Sequence, residues 1–294
     1  MKTVALFGHR IEKDARPYIE VLLEELERLD ITIWFFDVFI RENIGQMELP
    51  KDRKTWNSHD ELKTVAPDAL ITLGGDGTIL RAVTFIRDSN IPILGINTGR
   101  LGFLANVARH ESKAIVNDLV NNNYHINERR LLDVNVDNGS CPPLPFALNE
   151  ITVARKDTTS MVTVHTWINN EFLSSYWADG IIIATPTGST GYSLSCGGPI
   201  IMPGSETFVI TPISPHNLNV RPFVIPNHYD IKLRIEAREP MFLTSLDSRI
   251  HSMPIDTEMY IKRSDFTVKI IQTEQQKFTK TLREKLFWGK DIRN

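Results

Sequence analysis

The first 125 residues alternate short apolar runs with segments of helical periodicity, and this alternation constrains the fold more than any other feature. The apolar runs have the length and the β-branched or aromatic content of buried strands. They occupy residues 4–7, 31–36, 69–73 and 93–96. Apolar residues at helical spacing follow the first run over 19–29, and helices are also expected at 79–87 and 111–120. This order predicts a parallel sheet with helices on its faces, with a polar loop at 43–57.

From about residue 131 the pattern changes to the period-two alternation of half-buried strands. Apolar residues alternate over 162–168 and again over 231–235. Pairs such as Asn169-Asn170 mark turns between these runs. The second part of the chain is therefore expected to form an antiparallel, β-rich domain.

The chain of 294 residues is long enough for two hydrophobic cores. We divide it into an α/β domain at 1–125, a β-rich domain at 126–270 that binds the ligand, and a tail at 271–294. The tail carries apolar side chains, including Phe278 and Trp288, and is expected to dock back on the first domain.

Composition excludes several classes of protein. A formal net charge of −3 gives no overall attraction to polyanions, so nucleic acid is not an expected partner. No segment approaches the roughly 18 uninterrupted apolar residues of a membrane helix, so no membrane is expected either. Cys141 and Cys196 are too few for a disulfide framework or a cysteine-rich zinc site, which fits the reducing cytoplasm.

The segment Gly74-Gly75-Asp76-Gly77-Thr78 follows the third apolar run and opens a helix, which is where open α/β sheets bind ligands. Glycines allow the backbone to approach a phosphate, and the helix amino terminus offers free N–H groups. A carboxylate among phosphates is unfavourable unless it binds a cation or takes a proton from an attacking hydroxyl. Asp76 is therefore the candidate catalytic residue; in the alternative interpretation, Asp76 or Thr78 merely caps the helix.

Two further candidates lie in the β-rich part. At 185–195 an apolar strand runs into a turn whose hydroxyls suit phosphate and ribose, with Tyr192 offering a face for a base. Asn149 and Glu150 interrupt a strand-like run and could grip both hydroxyls of a ribose. Because adjacent strand residues face opposite sides, both can serve one ligand only at a strand end or bulge. An ordinary loop and a solvated strand face are the respective alternatives.

A fourth candidate, Asn97–Phe103, follows the fourth apolar run, and its Arg100 could offset phosphate charge, although a plain glycine-rich turn is equally compatible. The sequence lacks the common nucleotide-triphosphatase loop, the hydride-transfer dinucleotide fingerprint and the nucleophile elbow. It also lacks clustered histidine and carboxylate spacing, so a metal site built by protein alone is not expected. A metal carried on nucleotide phosphates is compatible with the sequence.

Taken together and in this order, the motifs resemble the NAD kinase family over about residues 70–225. The matching pieces are Leu73–Thr78, Asn97–Phe103, Leu148–Glu150, Asp179-Gly180, Thr185–Ser195, Gly197–Pro199 and Thr211–Pro222. The Gly-Gly-Asp-Gly piece is shared with diacylglycerol, sphingosine and 6-phosphofructokinase relatives. The Asn-Glu and Thr-Pro-Thr-Gly-Ser-Thr pieces are specific to NAD kinases.

The resemblance implies a diacylglycerol kinase- and phosphofructokinase-like α/β domain, an all-β carboxyl-terminal domain and a site in the cleft between them. The family transfers the γ-phosphoryl of ATP, or in some members of polyphosphate, to the 2′-hydroxyl of the adenosine ribose of NAD, giving NADP. The expected ligands are thus NAD, ATP and a divalent cation such as Mg²⁺. Dimers and tetramers are common in the family, so a homo-oligomer is expected.

By the same resemblance, Asp76 accepts the proton of that 2′-hydroxyl. Asp76 and Gly77 would lie at the acceptor ribose, Asn149 and Glu150 would fix ribose and phosphate, and Asp179 would meet the nicotinamide end. Arg81, about one helical turn beyond the loop, would reach a phosphate. The residues implied to hold the adenosine are Thr190, Gly191, Tyr192, Ser193, Leu194 and Ser195.

The sequence departs from the family pattern at a few positions. Trp177 and Ala178 stand where many relatives carry a basic residue, Gly191 where alanine is frequent, and Arg249 near a frequent glutamine. These departures concern the nicotinamide side and the phosphoryl donor. The alternative functions are a lipid or sugar kinase that shares only the Gly-Gly-Asp-Gly loop, and a non-catalytic NAD(H) sensor, which would have little use for Asp76.

Overall fold

The computed structural model describes residues 1–137, 139, 141–156 and 160–287, so Trp288 lies outside the described residues. The chain forms two compact units. Unit 1 comprises Met1–Glu128 together with the chain from Val268 on, and unit 2 comprises Arg129–Thr267. The predicted fold class, a parallel α/β part followed by a largely antiparallel β part, is confirmed.

Unit 1 is built on a parallel sheet. Its strands are β1 (Thr3–Gly8), β2 (Thr32–Phe36), β3 (Lys54–Trp56), β4 (Ala69–Leu73), β5 (Ile93–Asn97) and β6 (Val107–Ala108). They are arranged in the order β3-β2-β1-β4-β5, with β6 on β5, through parallel pairings. Strand order reverses between β1 and β4, and in open α/β sheets ligands bind near the carboxyl ends at such a reversal. The loop that carries Asp76 starts at the end of β4.

Three helices lie where the sequence predicted them, and two further short helices, at 37–43 and 59–65, were not predicted. They are α1 (Arg16–Arg28), α2 (Asp37–Asn43), α3 (His59–Val65), α4 (Asp76–Ile86) and α5 (Ser112–Val120). The expectation of a plain loop at 43–57 is wrong, because β3 pairs with β2 there. Trp56 explains the added strand: it is 1% exposed, and its ring lies 5.1 Å from that of Phe36 and 5.6 Å from that of Phe85.

Unit 2 is largely antiparallel. Its strands are β7 (His125–Val136), β8 (Phe146–Ala147), β9 (Glu150–Arg155), β10 (Val162–Ile168), β11 (Glu171–Ala178), β12 (Gly180–Ala184), β13 (Thr207–Ile213), β14 (Phe223–Pro226), β15 (Ile231–Glu236), β16 (Met241–Leu246), β17 (Arg249–Pro254) and β18 (Glu258–Gln272). One sheet has the order β14-β13-β12-β9-β16-β17, and a second row of strands has the order β11-β10-β15-β18. Strands β7 and β18 each carry the chain across a unit boundary.

Strand β12 is buried on both faces, which explains its uninterrupted apolar sequence. Ile181 and Ile183 belong to the main core of unit 2, together with residues of both rows of strands. Ile182 and Ala184 point the other way, into a smaller cluster against which Cys196 packs. The segment after β12, which includes the short helix α6 (Tyr192–Ser195), is thereby held on this second face.

The tail forms helix α7 (Phe278–Leu286) within unit 1. Leu282 is buried, the ring of Phe278 lies 6.0 Å from that of Phe103, and the Lys285 ammonium lies 5.2 Å from the centre of the same Phe103 ring. The tail therefore packs on the loop that follows β5. Within the described part of the chain, no helix is long and apolar enough to cross a bilayer.

Candidate active site

The Gly-Gly-Asp-Gly loop joins the end of β4 to the start of α4. A side chain at Gly74 is excluded, since a Cβ there would lie 2.1 Å from the Thr78 hydroxyl oxygen. Positions 75 and 77 are different, because no heavy atom lies within 4 Å of a Cβ placed there. The backbone on either side of Asp76 therefore borders open space that a ligand can approach.

Asp76 is the first helical residue, not the helix cap. The cap is Gly75, and no side chain caps α4. The Asp76 carboxylate instead accepts backbone N–H groups from the loop after β5, with Oδ2 receiving Phe103 at 2.8 Å and Oδ1 receiving Leu104 and Ala105, each at 2.9 Å. The alternative interpretation in which Asp76 only caps its own helix is therefore wrong.

These three N–H donors limit how many further hydrogen bonds the Asp76 carboxylate can accept. A carboxylate offers about four lone-pair sites, so roughly one remains for a further hydrogen bond. Gly102 permits the arrangement, because a Cβ at that position would lie 1.9 Å from Asp76 Oδ1. Asn97 shapes the same loop by accepting from the Gly99 N–H at 2.8 Å and donating to the Ala105 carbonyl at 3.2 Å. The predicted Asn97–Phe103 motif thus lies next to Asp76.

A cavity of about 380 Å³ in unit 1 borders the same loop. Its lining includes Asn97, Asn106, Arg109 and Lys280, but not Asp76. Arg109 is already paired with Asp14 at 2.6 Å. The cavity is therefore separate from the position of the candidate catalytic carboxylate.

Asn149 and Glu150 lie at a strand end, as the adjacent-residue argument required. β8 ends at Ala147 and β9 begins at Glu150. Thr185 fixes the intervening backbone: its hydroxyl donates to the Leu148 carbonyl at 2.6 Å and its N–H donates to the Asn149 carbonyl at 2.9 Å.

Asn149 and Glu150 are half-buried, and each has one buried oxygen atom that lacks a hydrogen-bond donor among the described residues. Asn149 Oδ1 and Glu150 Oε2 are buried acceptors with no hydrogen-bond partner among the described residues. Burial, together with the charge of Asp247, raises the pKa of Glu150 to about 8. Two unpaired acceptors at one strand end are costly in the free protein, and a ligand with hydroxyl donors would satisfy them.

Gly188 and Gly191 bring the loop after β12 against this strand end. A Cβ at Gly188 would lie 2.1 Å from the Asn149 carbonyl oxygen, so only glycine fits there. A Cβ at Gly191 would lie 3.2 Å from Glu150 Oε2. Gly191, where alanine is frequent in the family, therefore leaves more room beside Glu150.

Several hydroxyls of the 185–195 segment serve the fold. The Ser193 hydroxyl is fully buried and lies 2.8 Å from that of Thr211, so it packs within the fold rather than on the outer side of the segment. Thr190 donates its hydroxyl to the Thr187 carbonyl at 3.3 Å. By contrast, Tyr192 and Ser195 are exposed, and Leu194 is half-buried.

Asp179 immediately precedes β12 and is paired with an arginine that the sequence did not indicate. Arg155 Nε lies 3.1 Å from Asp179 Oδ1, and both side chains are about two-thirds or more buried, at 29% and 27% exposure. In unit 1, Arg81 is exposed on α4, five residues after Asp76.

The structure thus forms two groups of site residues. In unit 1, Asp76 is held by the Asn97–Ala105 loop. In unit 2, Asn149, Glu150, Gly188 and Gly191 are held together at one strand end. Asp247 was also missed: its carboxylate accepts backbone N–H groups of the Leu148–Glu150 segment, about 100 residues earlier in the chain.

A parallel α/β unit with a Gly-Gly-Asp-Gly loop, followed by a β unit with an Asn-Glu strand end, defines a class of nucleotide-dependent phosphotransferases. Comparison with known proteins agrees. Residues 4–124 match the family model "ATP-NAD kinase N-terminal domain" and residues 148–273 match "ATP-NAD kinase C-terminal domain". The chain belongs to the NAD kinase family and is an enzyme of that family.

Individual relatives match along the whole chain. The NAD kinase of Flavobacterium johnsoniae is 46% identical over 293 residues, 99% of each chain, and that of Cytophaga hutchinsonii is 45% identical over 294 residues, with the same coverage. An NAD kinase from Archaeoglobus fulgidus, solved in complex with ATP, aligns over 95% of this chain and 98% of its own, with a TM-score of 0.75 and 26% identity. Yeast NADH kinase, complexed with NADH, shares the fold with a TM-score of 0.87 at 23% identity, covering 99% of this chain and 89% of its own.

Proposed function

We propose that this protein transfers the γ-phosphoryl group of ATP to the 2′-hydroxyl of the adenosine ribose of NAD, giving NADP and ADP. The observation that carries the proposal is the Asp76 carboxylate, fixed by three backbone N–H groups at the end of β4 with one acceptor site left. The Flavobacterium and Cytophaga relatives are NAD kinases, and the Archaeoglobus NAD kinase was solved with ATP.

In the proposed reaction, Asp76 is the proton acceptor. The 2′-hydroxyl of NAD donates its hydrogen bond to the remaining lone pair of Asp76. As the hydroxyl oxygen forms its bond to the γ-phosphorus, the bond to the β-phosphate oxygen breaks, ADP leaves, and the proton passes to Asp76 and then to solvent. Because the carboxylate is already oriented by the loop, little reorganisation is needed in this step.

The remaining NAD contacts are proposed from the hydrogen-bonding groups of the site residues and from which of their atoms are buried without a partner. Asn149 Oδ1 and Glu150 Oε2 would accept hydrogen bonds from ribose hydroxyls, which explains why they are unpaired. Gly77 would allow close approach to the acceptor ribose, and Asp179, oriented by Arg155, would meet the nicotinamide end.

The adenosine is proposed to lie along the segment from Thr190 to Ser195. Gly191 supplies space, Tyr192 a ring face, and Ser195 an exposed hydroxyl, with Leu194 as an apolar contact. The Ser193 hydroxyl is buried against Thr211, so Ser193 would contribute through its backbone and by holding the segment in place. Arg81, exposed on α4, is proposed to contact a phosphate.

A divalent cation, with Mg²⁺ the expected ion, belongs to the proposal through the phosphates of ATP. Among residues 1–137, 139, 141–156 and 160–287, no group of three or more His, Cys, Asp or Glu side chains could hold a metal ion. Oxygen atoms of the phosphates would therefore supply most of its ligands. A bound cation neutralises charge on the transferred group.

Two further properties are proposed with the reaction. We propose a cytoplasmic enzyme, supported by Cys141 and Cys196, both free thiols. We also propose a homo-oligomer, dimer or tetramer. Edge strand β14 supports this, since Phe223 and Val224 are 46% and 42% exposed.

The test is a coupled NADP assay on the purified protein, with NAD or NADH as acceptor, ATP or polyphosphate as donor, and Mg²⁺ present or absent. The proposal expects NADP from NAD and ATP that requires the divalent cation. Diacylglycerol and fructose 6-phosphate serve as control acceptors. Phosphorylation of either control without NADP formation would overturn the proposal.

A further inference from the structure

Asp247 occupies the two-residue turn between β16 and β17. Leu246 pairs with Arg249, and the two residues between them, Asp247 and Ser248, have φ angles of 48° and 69°. These left-handed values are those of the hairpin turns that fit twisted strands, and Asp tolerates them better than most residues. Asp247 is only 9% exposed, so the turn carries a buried carboxylate.

That carboxylate is directed at the backbone of the Asn-Glu strand end. Oδ2 accepts the Leu148 N–H at 2.6 Å, and Oδ1 accepts the N–H groups of Asn149 at 2.8 Å and Glu150 at 3.1 Å. The N–H of Asp247 donates back to the Glu150 carbonyl at 3.2 Å. Three successive backbone N–H groups therefore converge on one side chain, an arrangement that neither a continuous strand nor solvent would provide.

The carbonyl side of the same segment is also fixed. Thr185 donates hydrogen bonds to the carbonyl groups of Leu148 and Asn149, as described above. The backbone from Leu148 to Glu150 thus has its N–H groups on Asp247 and two of its carbonyl groups on Thr185. Only the side chains of Asn149 and Glu150 retain unused acceptors.

We propose that Asp247 is a positioning residue for dinucleotide binding, which holds the Leu148–Glu150 backbone so that Asn149 and Glu150 present their unpaired oxygens to NAD. The inference rests on the proposed function, in which those two side chains bind NAD. Asp247 acts through them, because three of its roughly four lone-pair sites are already occupied by backbone donors.

Charge gives Asp247 a second effect on the strand end. It is the charged group that acts on the Glu150 carboxyl among the described residues. Arg249 does not neutralise it by direct pairing, since its guanidinium donates to the carbonyl groups of Leu144, Phe146 and Leu246. Burial raises the pKa of Asp247 as well, but its three backbone N–H donors counter part of that rise. No described residue donates to Glu150 Oε2, so the pair favours the negative charge on Asp247 and the proton on Glu150.

The test compares Asp247→Asn with a matched control in the full-length protein. Asparagine keeps the shape, but turns an amide N–H₂ toward at least one backbone N–H and removes the charge. Asp137→Asn is the control, because Asp137 makes the same two-way contact with Glu258, accepting its N–H at 3.0 Å and donating to its carbonyl at 3.3 Å. NAD binding is measured by calorimetry between pH 6 and pH 9.

For Asp247→Asn we expect the dissociation constant of NAD to rise about tenfold or more, as loss of charge-assisted hydrogen bonds implies. The midpoint of its pH dependence should also move to lower pH, since the charge beside Glu150 is gone. Asp137→Asn should change neither. A purely structural role would lower stability without moving that midpoint, so an unchanged midpoint or unchanged affinity in a folded Asp247→Asn overturns the inference.

Hydrogen exchange on the wild-type protein covers the case in which Asp247→Asn does not fold. The amides of Leu148, Asn149 and Glu150 should be protected before NAD is added; protection that appears only with NAD contradicts the inference. Failure of the underlying site is recognised separately. If Asn149→Ala and Glu150→Gln both bind NAD like the wild type, then the proposed dinucleotide contacts themselves are wrong.

Discussion

Glu150 donates its backbone N–H to the carboxylate of Asp247 at 3.1 Å, and its own Oε2 is buried with no hydrogen-bond donor among the described residues. Burial first, and the Asp247 charge second, raise the pKa of Glu150 to about 8. A pKa shift of this size makes the free energy of unfolding depend on pH. It also means that Glu150 destabilises the folded protein at neutral and alkaline pH, which is typical of functional sites.

Replacement of Glu150 by glutamine should stabilise the protein at alkaline pH. In the unfolded chain the carboxyl group loses its proton near its ordinary pKa of 4.5, whereas the folded protein keeps it until about pH 8. Between these values the unfolded state binds fewer protons, so the unfolding free energy of the wild type falls as pH rises, by at most about 1.4 kcal/mol per unit. Glu150→Gln removes this fall.

Urea unfolding at pH 5, 6.5, 8 and 9 checks this expectation. The stability difference between Glu150→Gln and wild type should be small near pH 4.5, grow up to pH 8 and then level off. The exposed Glu171→Gln serves as the control. A difference that is constant over this range would show that Glu150 does not titrate as proposed.

Replacement of Asp76 by asparagine should affect catalysis and protein stability to different degrees, because Asp76 is both the proposed proton acceptor and a hydrogen-bond acceptor for the 103–105 backbone. Loss of the proton acceptor is expected to lower kcat by about 10²- to 10⁴-fold while largely sparing NAD binding. The variant should also lose about 1–3 kcal/mol of stability, because an amide N–H₂ would face one of the backbone donors of Phe103–Ala105. Steady-state kinetics, NAD titration and thermal unfolding measure the three effects.

Asp68 provides the control for the loss of stability that follows when a carboxylate bound to backbone N–H groups is replaced. Its carboxylate accepts the N–H groups of Lys2 and Thr3 at 2.6 and 3.0 Å, away from the Gly-Gly-Asp-Gly loop. Asp68→Asn should lower stability with kcat unchanged. Undiminished turnover in Asp76→Asn would reject Asp76 as the proton acceptor.

A side chain at position 102 should disturb Asp76 without replacing it. The Cβ of Gly102→Ala would lie 1.9 Å from Asp76 Oδ1, so the loop or the carboxylate must move. We expect a stability loss of about 1–3 kcal/mol, typical of overpacking, together with a lower kcat. Gly99→Ala is the stability control, since the nearest atom to its Cβ lies 3.9 Å away. Equal unfolding free energies for the two variants would contradict the close packing of Gly102 on Asp76.

Much of unit 1 was predictable because its signals are local. The apolar runs that became β1, β4 and β5 are buried on both faces, and the leucines of α1 recur at helical spacing. Strand β3 was not predictable, because its three residues are polar apart from Trp56 and it depends on pairing with β2. The strand itself carries no periodicity.

The candidate site was predictable in its motifs but not in its supports. Asp76, Asn149 and Glu150 occur in short patterns with a chemical reason. Asp247 contacts Glu150, 97 positions away, and Arg155 contacts Asp179, 24 positions away. No local sequence pattern predicts contacts between residues so far apart in the chain. The turn residues Asp247 and Ser248 are of types that favour turns, but nothing in this local sequence distinguishes a buried carboxylate from an exposed one.

Ser193 lies within the predicted adenosine segment and offers a last test. Its hydroxyl and that of Thr211 lie 2.8 Å apart, both fully buried, so removal of either leaves the other unsatisfied. Ser193→Ala and Thr211→Val should each cost about 1–3 kcal/mol, and the double variant should cost less than their sum, by about 0.5–3 kcal/mol. Urea unfolding of the four proteins measures this coupling. Additive losses would contradict a hydrogen bond between Ser193 and Thr211. An NAD affinity weakened in Ser193→Ala at unchanged stability would show instead that this hydroxyl contacts the ligand.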